Sequence, residues 1–467
     1  MKKYIYFKQE LEIRTYPSQK QILYVNTLPD NSQSKDGIKG FFINNTAIEI
    51  IELIDGMNTY DDVVQILANR YKESIESINE KVSRFLETLK SQCNIEVGYS
   101  DRQCMKNVKI KYETNKYPIV SSIELTHKCN LKCLHCYGEF NDKYNYNKDK
   151  TMSLDNVKKL LRDLKDIGVR IIEFTGGDIT MHPNLKEILL EAIELNFKQI
   201  ALLTNGIALS DDVINIIIKN KKRFIVQIDL HSLDDDYLYW FTNRKNTLDI
   251  IKDKINTLNN GGVLLRIVTV VTQKNLCEIE NIADYVYNLG VKFYAVSPVI
   301  NIGRAIKSNE NNKCNDDGLL LRTEEEVRNY EKQILAISEK YPGFLNLIED
   351  PRYSSPNCGA LTSNITITPD GYIKLCTMDN LEYFKSSIGN VFTQNIKEIY
   401  DENAEFLKVY ESIKSPEPES EECIECTDRF FCGHCMLRGI IKAKEKGGKC
   451  KWFKKNVKDV VKQRFLL

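Results

Sequence analysis

The stretch LTHKCNLKCLHCYGEF, residues 125–140, decides how the rest of the chain is interpreted. Its cysteines, Cys129, Cys133 and Cys136, have the spacing C-x3-C-x2-C and follow an apolar run, Val120–Leu125, that predicts a buried strand. Three thiolates on one short loop can bind three irons of a [4Fe–4S] cluster and leave the fourth iron without a protein ligand. A zinc site or three unrelated thiols are the alternatives, but structural zinc sites normally close with four ligands.

Outward from this loop, apolar runs alternate with amphipathic helices between Pro118 and about Ile300. The predicted strands are Val120–Leu125, Ile171–Phe174, Ile200–Leu203, Phe224–Leu230, Leu264–Val271 and Phe293–Ile300. This alternation predicts a parallel sheet that is open or curled into a partial barrel. We expect the chemistry at the carboxyl ends of the strands, where the cysteine loop begins.

The motifs that follow the cysteine loop resemble, in order and spacing, those of radical S-adenosylmethionine (SAM) enzymes. They are Tyr137, Thr175-Gly176-Gly177-Asp178, Thr204-Asn205-Gly206 and Gly303-Arg304-Ala305. The resemblance implies an α/β fold with a partial (β/α)6 TIM-like barrel, in which SAM chelates the open iron through its amino and carboxylate groups. One electron from a reducing partner such as flavodoxin or ferredoxin would then cleave SAM into methionine and a 5′-deoxyadenosyl radical.

The same resemblance carries a set of cofactor contacts onto this sequence. They are Tyr137, Gly176, Gly177, Asp178, Asn205, Asp229, His231, Arg244, Arg266 and Ile300. Glycines at 176 and 177 would let the backbone approach the SAM amino group closely. The chain has Asp178 where the family usually has glutamate, which shortens the side chain that would make this contact.

Other positions depart from the family pattern or have a structural alternative. The family commonly has Ser-Leu-Asp where this chain has Asp229-Leu230-His231, and His231 could be a hydrogen-bonded core residue. Arg244 aligns best with the family arginine that meets the SAM carboxylate. Arg266 is a second candidate that could instead be an ion-pair partner, and Ile300 matches the position that packs on adenine.

Seven cysteines from Cys358 onward form a second pattern, C-x12-G-x4-C followed by C-x2-C-x5-C-x2-C-x14-C. Between the first two, NITITPDGYIKLC predicts a hairpin that turns at Asp370-Gly371. A zinc ribbon would use only four of these thiols and leave the others unexplained. The pattern therefore favours a larger metal-binding assembly.

This second set resembles the SPASM extension of radical SAM enzymes, which implies two auxiliary [4Fe–4S] clusters. The outer cluster would be held by Cys423, Cys426, Cys432 and Cys450. The inner cluster, nearer the active site, would be held by Cys358, Cys376 and Cys435.

The number of ligands leaves one position unassigned. Three clusters, with SAM completing the first, need about eleven cysteines, and the motifs supply one fewer. The inner cluster is therefore expected to have an open iron, which could bind a substrate thiolate, or to use Cys314, water or another group. Cys93, Cys104 and Cys277 have no partners at ligand spacing and are interpreted as ordinary thiols.

The first hundred residues predict a winged-helix module. Strand-like stretches, Tyr4–Tyr16 and Gln19–Asn26, precede a helix capped at Asn44 or Asn45 and stopped at Gly56. A second helix capped at Thr59 and a third over Ile75–Leu89 follow. The segment FFINNTAIEIIELIDGMNTYDDVVQILANRY resembles the element that binds peptide leaders, which accepts the leader as an added strand. A DNA-binding winged helix is the alternative, but these helices are acidic.

Composition limits the classes of protein to consider. The 467 residues carry 65 basic and 65 acidic side chains, a balance that argues against bulk binding of nucleic acid. No apolar run approaches the roughly 18–20 residues of a membrane span, and MKKYIYFKQE lacks a signal-peptide core. We expect a cytoplasmic protein without a membrane or nucleic-acid partner. Metal ligation explains a total of 14 cysteines better than disulfides do.

The predicted organisation has five segments. They are a leader-recognition domain (1–99), a linker (100–117), the radical SAM partial barrel (118–310), a bridging region (311–345) and a SPASM domain (346–467). This arrangement resembles that of maturases that form thioethers in sactipeptides and ranthipeptides, and it implies a thioether between a cysteine sulfur and a carbon of a precursor peptide bound through its leader. Carbon–carbon or ether crosslinking, epimerisation, and a non-catalytic metal-binding scaffold are the alternatives.

Overall fold

The structure is a computed structural model. It describes residues 3–15, 21–25, 40–93, 95–103, 111–114, 117–138, 140, 150–306, 318–345, 357–379, 384 and 388–465. The chain divides into two compact units, Met1–Lys116 and Tyr117–Leu467, each with its own apolar core. Over the described ranges, no helix is both long and apolar enough to cross a membrane.

The first unit combines short strands with helices. Its strands are β1 (Tyr4–Phe7), β2 (Leu11–Thr15), β3 (Gln21–Val25), β4 (Gly40–Ile43), β5 (Asp55–Thr59), β6 (Val97–Ser100) and β7 (Lys111–Thr114). Its helices are Asn45–Leu53, Tyr60–Tyr71 and Ile75–Cys93. In the part of this unit that is described, the strands form two sheets, with the orders β5-β1-β6 and β4-β3-β2-β7.

Local signals explain most of these helix bounds. Asn44 caps the first helix by accepting a hydrogen bond from the N–H of Ala47, and Thr59 and Asp62 form a reciprocal capping box at the second. The first helix ends at Leu53, before the predicted stop at Gly56, because the residues that follow it form β5. Strand β7 lies inside the predicted linker and pairs in parallel with β2, so that segment is partly structured.

The second unit is built on the predicted parallel strands. They are β8 (Val120–Thr126), β9 (Ile171–Gly176), β10 (Gln199–Thr204), β11 (Phe224–Asp229), β12 (Leu264–Val271) and β13 (Phe293–Pro298). Between and after them lie the helices Leu154–Asp166, Leu185–Glu194, Asp211–Lys219, Asp235–Thr242, Leu248–Asn260, Ile279–Asn288 and Glu324–Lys340. The predicted α/β class and the parallel sheet are confirmed.

The predicted hairpin joins this sheet directly. Strands β14 (Asn364–Ile367) and β15 (Ile373–Lys374) extend the sheet beyond β8, and β14 pairs with β8 in parallel. Gly371 has a positive φ of 88° in the turn, a conformation that glycine adopts without strain. The cysteine-rich region is therefore continuous with the barrel sheet. The domain limits predicted at 310 and 345 stay predictions.

The rest of the cysteine-rich region consists of short helices around loops. Their bounds are Ile396–Glu402, Ala404–Glu411, Arg429–Cys432, Met436–Glu445, Lys451–Asn456 and Asp459–Lys462. The large side chains of Trp452 and Phe453 are buried, so this part of the chain contributes to the same core as the barrel.

A buried ion pair connects β15 to β8. The Lys374 Nζ lies 2.6 Å from the Glu124 Oε1, and both side chains are almost completely buried. Lys374 also donates to the carbonyl oxygen of Thr377, and His127 lies 3.2 Å from the other Glu124 oxygen. Burial alone would raise the pKa of Glu124, but Lys374 and His127 outweigh it, so its pKa lies below the ordinary value.

Removing one partner of this pair should destabilise the protein strongly. We expect Lys374→Met to lower the free energy of unfolding by about 3–5 kcal/mol, because Glu124 is then buried without its cation. The double variant Glu124→Leu/Lys374→Met should recover most of that loss. Urea unfolding of the anaerobic protein measures both.

The control is Lys150→Met, which breaks a half-exposed pair with Asp370 and should cost less than about 1 kcal/mol. Equal losses in Lys374→Met and Lys150→Met would contradict the assigned role of the buried pair.

Candidate active site

The loop that carries Cys129, Cys133 and Cys136 is held in place by Arg304. The Arg304 guanidinium donates to the carbonyl oxygens of Cys133 at 2.7 Å and Phe140 at 2.6 Å. Its backbone N–H donates to the carbonyl oxygen of Cys136 at 3.0 Å. The motif from 303 to 305 at the end of the barrel therefore clamps the cysteine loop.

The glycine pair Gly176-Gly177 packs against the start of the same loop. The Gly177 N–H donates to the Thr126 carbonyl oxygen, and the Asp178 N–H donates to that of Lys128. A Cβ at Gly177 would lie 2.3 Å from the Lys128 oxygen, so no larger residue fits. The close approach seen here is to the cysteine loop itself. The expected approach to the SAM amino group stays a prediction.

The three cysteines line one cavity of about 210 Å³ at the carboxyl ends of β8 to β11. Most of the predicted cofactor contacts line it with them: Tyr137, Gly176, Gly177, Asp178, Asn205, Asp229 and His231. Arg244, Arg266 and Ile300 are not in this lining, and their contacts with SAM stay predictions.

Asp178 ties the ends of two strands together. Its carboxylate accepts hydrogen bonds from the Thr180 N–H and hydroxyl, from the Thr204 hydroxyl and from the Asn205 N–H. The Asn205 side chain in turn donates to Asn130 of the cysteine loop at 2.7 Å. Asp178 and Asn205 therefore hold the rim of the cavity in position.

Asp229 and His231 stand close together on the cavity wall. Burial, reinforced by Asp178, raises the pKa of Asp229 to about 7. Burial and then His135 lower the pKa of His231 far below its ordinary value, so its ring is neutral. His231 accepts a hydrogen bond from the Val270 N–H and packs edge-on against Phe241. Its ring is therefore held by the protein itself while it lines the cavity.

Arg266 lies inside the barrel, away from this cavity lining. Burial lowers its pKa, whereas Glu173 acts in the opposite direction. Since β9 and β12 are separated by two strands, the interaction between Glu173 and Arg266 crosses the barrel interior. The Arg266 Nε is buried and has no hydrogen-bond partner among the described residues. The barrel thus presents a buried cation to whatever enters it.

The outer group of cysteines also shares one cavity. Cys423, Cys426, Cys432 and Cys450 line a volume of about 300 Å³, as the predicted grouping requires. Lys446 donates to the Cys426 Sγ at 2.8 Å, as expected where a thiolate is stabilised by a cation. Several further basic side chains surround this cavity: Arg429, Lys442, Lys449 and Lys451.

The inner group lies around Cys376. Burial raises the pKa of Cys376 above its ordinary range, and Cys435, Asp379 and Cys358 raise it further. The structure therefore brings together the three cysteines predicted for the inner cluster. Cys314, the other predicted candidate, lies outside the described residues, as does Cys104.

Three family models match successive parts of the chain. The Radical SAM superfamily model covers residues 123–286, the model of coenzyme PQQ synthesis protein D (PqqD) covers residues 34–95, and the iron–sulfur cluster-binding SPASM domain covers residues 358–427. The chain contains a radical SAM domain. It combines the radical SAM barrel with a PqqD-like domain and a SPASM extension, as the motifs predicted.

Individual relatives share different parts of this arrangement. The antilisterial bacteriocin subtilosin biosynthesis protein AlbA of Bacillus subtilis is 28% identical over 446 residues, 94% of each chain. A GTP 3′,8-cyclase of Clostridium perfringens is 28% identical over 269 residues, 54% of this chain and 79% of the cyclase.

The fold also matches that of solved structures. Streptococcus suis SuiB bound to S-adenosylmethionine has a TM-score of 0.58 at 15% identity, covering 98% of this chain and 99% of SuiB. SuiB bound to its precursor peptide SuiA has a TM-score of 0.58 at 16% identity, and the match covers 94% of this chain and 97% of SuiB.

The residues of the radical SAM cavity fit a cluster that supplies positive charge. Burial, with Asp178 next, raises the pKa of Cys129 to about 12, and burial raises that of Cys133 well above its ordinary value. Thiolates form at such positions only with a cation among them. No three metal-ligating side chains of the described ranges are close enough to hold a single ion. A cubane binds its thiolates to separate irons and so spaces them further apart.

Sequence reasoning missed two residues that shape these sites. Arg304 was recognised only as part of a motif, because a hydrogen bond to carbonyl oxygens of a distant loop leaves no trace in local sequence. Lys374 has no charged partner nearby in the chain, since Glu124 is 250 residues away.

Arg304 provides a direct test of the clamp. We expect Arg304→Lys to lose the radical SAM cluster, because one ammonium group cannot replace the guanidinium at two carbonyl oxygens. Iron should fall from about twelve to about eight atoms per chain, and reductive SAM cleavage should disappear. Anaerobic reconstitution with iron and sulfide analysis measures this. The exposed Arg328→Lys is the matched control, and unchanged iron in Arg304→Lys would contradict the clamp.

Proposed function

We propose that this chain is a maturase of a ribosomally made peptide and that it bonds a cysteine sulfur of the precursor to a carbon atom. The observation that carries this proposal is the match to AlbA over 94% of both chains, which includes all three modules. The PqqD-like domain supports a peptide substrate. The match to the GTP 3′,8-cyclase extends over only 54% of this chain, so it is weaker support for a substrate like that of the cyclase.

Different residues of the barrel would bind and orient the cluster and SAM. The loop clamped by Arg304 presents Cys129, Cys133 and Cys136 to one face of the cavity. Tyr137 shares a hydrogen bond with Thr175 and closes the side of the cavity next to Lys374. Arg266 offers a buried cation to an anionic group such as the SAM carboxylate. When bound, SAM and the reduced cluster supply a 5′-deoxyadenosyl radical that abstracts hydrogen.

Each thioether removes two hydrogen atoms from the peptide. One leaves the carbon as a hydrogen atom, and the other leaves the cysteine thiol as a proton together with one electron. We propose that the auxiliary clusters held by the SPASM cysteines accept that electron. A reducing partner such as flavodoxin or ferredoxin would supply the electron that each SAM cleavage needs.

Mass spectrometry of a candidate precursor tests the reaction. We expect a cysteine-containing precursor, produced anaerobically with this enzyme, to lose two hydrogen atoms and one alkylatable thiol for each bond, without reversal by disulfide reductants. Cys129→Ala should abolish SAM cleavage and product, since its thiolate holds the cluster. Cys277→Ala is the matched control, because Cys277 is exposed and has no other cysteine at ligand spacing.

Three other outcomes would overturn parts of this proposal. Loss of hydrogen with every thiol still alkylatable would indicate carbon–carbon or ether crosslinking, and deuterium incorporation without crosslinking would indicate epimerisation. Product formation by Cys129→Ala would exclude the radical mechanism as stated.

We propose that the precursor's leader binds the PqqD-like unit beside β6. A groove of about 580 Å³ lies between β6 and the helix Ile75–Cys93, and its lining includes Leu86, Val97 and the half-exposed Tyr99. Among the described strands, β6 is the last in its sheet. An edge strand beside apolar side chains can accept a peptide as an added strand, with pockets for alternate side chains.

Tyr99→Asp should weaken leader binding about tenfold or more, because it removes the aromatic ring that Tyr99 offers to the leader at the groove and puts a carboxylate in its place. Fluorescence anisotropy of a labelled leader peptide measures the affinity. Ile75→Asp changes an equally exposed apolar residue outside the groove and should leave the affinity unchanged. The same affinity in wild type and Tyr99→Asp would place the leader elsewhere.

A further inference from the structure

Lys446 connects the outer group of cysteines to a carboxylate. Its Nζ lies 2.8 Å from the Cys426 Sγ and 2.8 Å from the Asp428 Oδ2. The side chains of Lys446 and Asp428 are 33% and 26% exposed, so the contact is partly shielded from water. Cys426 is one of the cysteines that line the outer cavity, and the match to the SPASM domain includes it. A positive charge therefore lies in direct contact with the sulfur of an expected cluster ligand.

The backbone fixes the position of Lys446. The helix Met436–Glu445 is largely buried and ends at the residue before Lys446. The chain then turns back, with the Gly448 N–H donating to the Ala443 carbonyl oxygen at 3.0 Å and Gly448 at a φ of 77°. This turn leads to Cys450, another cysteine of the outer cavity. Lys446 is therefore held between a packed helix and a second expected ligand.

Asp428 has a second cation beside it. The Lys442 Nζ lies 3.6 Å from the Asp428 Oδ1, and Lys442 also pairs with Glu445 at 2.7 Å. If the Lys446 ammonium is removed, the Asp428 carboxylate still has Lys442 as an ion-pair partner. A substitution at Lys446 therefore removes the contact with Cys426 without leaving a partly buried charge alone, and we expect such a variant to fold.

A cation at a ligand sulfur changes the balance between the two oxidation states of a cluster. Reduction adds one negative charge to the cluster and its thiolates, and a charged hydrogen bond stabilises that extra charge. Net charge, hydrogen bonds to the sulfurs and exposure to solvent set the reduction potentials of iron–sulfur clusters. Since Lys446 supplies both a positive charge and a hydrogen bond, it should raise the potential. Its partial exposure lets water screen part of the effect.

We propose that Lys446, through Cys426, raises the reduction potential of the outer auxiliary cluster and so makes that cluster an acceptor for the electron that leaves the peptide. This inference rests on the proposed function only for the source of the electron. For each thioether, one electron passes from the peptide to the cluster and then to an oxidised carrier of the flavodoxin or ferredoxin class. Lys446 acts through Cys426, so it is a positioning residue and not a catalytic one.

The test measures the midpoint potential of the outer cluster. It uses the full-length enzyme without the three cysteines of the radical SAM loop: Cys129, Cys133 and Cys136. Anaerobic reconstitution should load about eight irons per chain, and a redox titration followed by EPR gives the midpoint potentials of both auxiliary clusters. Adding Cys423→Ala removes the signal of the outer cluster and so identifies it.

We expect Lys446→Met to make the outer cluster about tenfold harder to reduce, a downward shift of its midpoint potential by about 59 mV. Lys446→Arg retains a positive charge and N–H donors and should keep most of the wild-type potential. Lys449→Met is the matched control, because Lys449 lines the same cavity without a hydrogen bond to a cysteine sulfur in the described part of the chain. This control should shift the potential by less than half as much.

Several results would overturn the proposal. An unchanged potential in Lys446→Met, or an equal shift in Lys449→Met, would show that the contact with Cys426 does not set the potential. Loss of about four irons in Lys446→Met would show that the residue holds the cluster in place rather than tuning it. None of these measurements involves the peptide, so a failure of thioether formation is distinguishable from a failure of this inference.

Discussion

The whole catalytic centre depends on holding a loop without regular secondary structure. The cysteine loop has few hydrogen bonds of its own, so its carbonyl oxygens and N–H groups need partners from other elements. Arg304 provides donors on one side, the backbone after Gly176 provides them on another, and the helix Asp235–Thr242 accepts from Lys132 and Leu134. Because these partners come from three places in the barrel, the loop takes its form only in the folded protein.

The SPASM region, in turn, depends on the barrel sheet for its position. The pairing of β14 with β8 brings the hairpin next to Glu124. Cys376 follows two residues after Lys374, whose ammonium group pairs with Glu124. Lys374 also lies over the Tyr137 ring, next to the radical SAM loop. One hairpin thus connects the surroundings of the first cluster with those of the inner one. The backbone pairing sets the distance between them more firmly than side-chain packing alone would.

Local patterns predicted the barrel strands and the helix caps at Asn44 and Thr59 well, because these depend on periodicity and capping residues. One cavity is lined by Cys423, Cys426, Cys432 and Cys450, and their binding of a single cluster stays a prediction. What could not be predicted depends on long-range contacts. The parallel partner of β14 and the partner of Lys374 both require the tertiary fold. The close approach of Gly177 to the Lys128 backbone also depends on the folded loop and has no local signal in the sequence.

The pairing of β14 with β8 also sets an order of events during synthesis. The strand β8 leaves the ribosome early, but the partner for its outer edge is made more than two hundred residues later. Until then that edge has free backbone groups, a state that favours misassembly. The Arg304 clamp is likewise made long after the loop that it holds. Completion of the barrel sheet is therefore a late step, and a chain interrupted before residue 364 would leave the outer edge of β8 exposed and would lack the buried cation of Lys374.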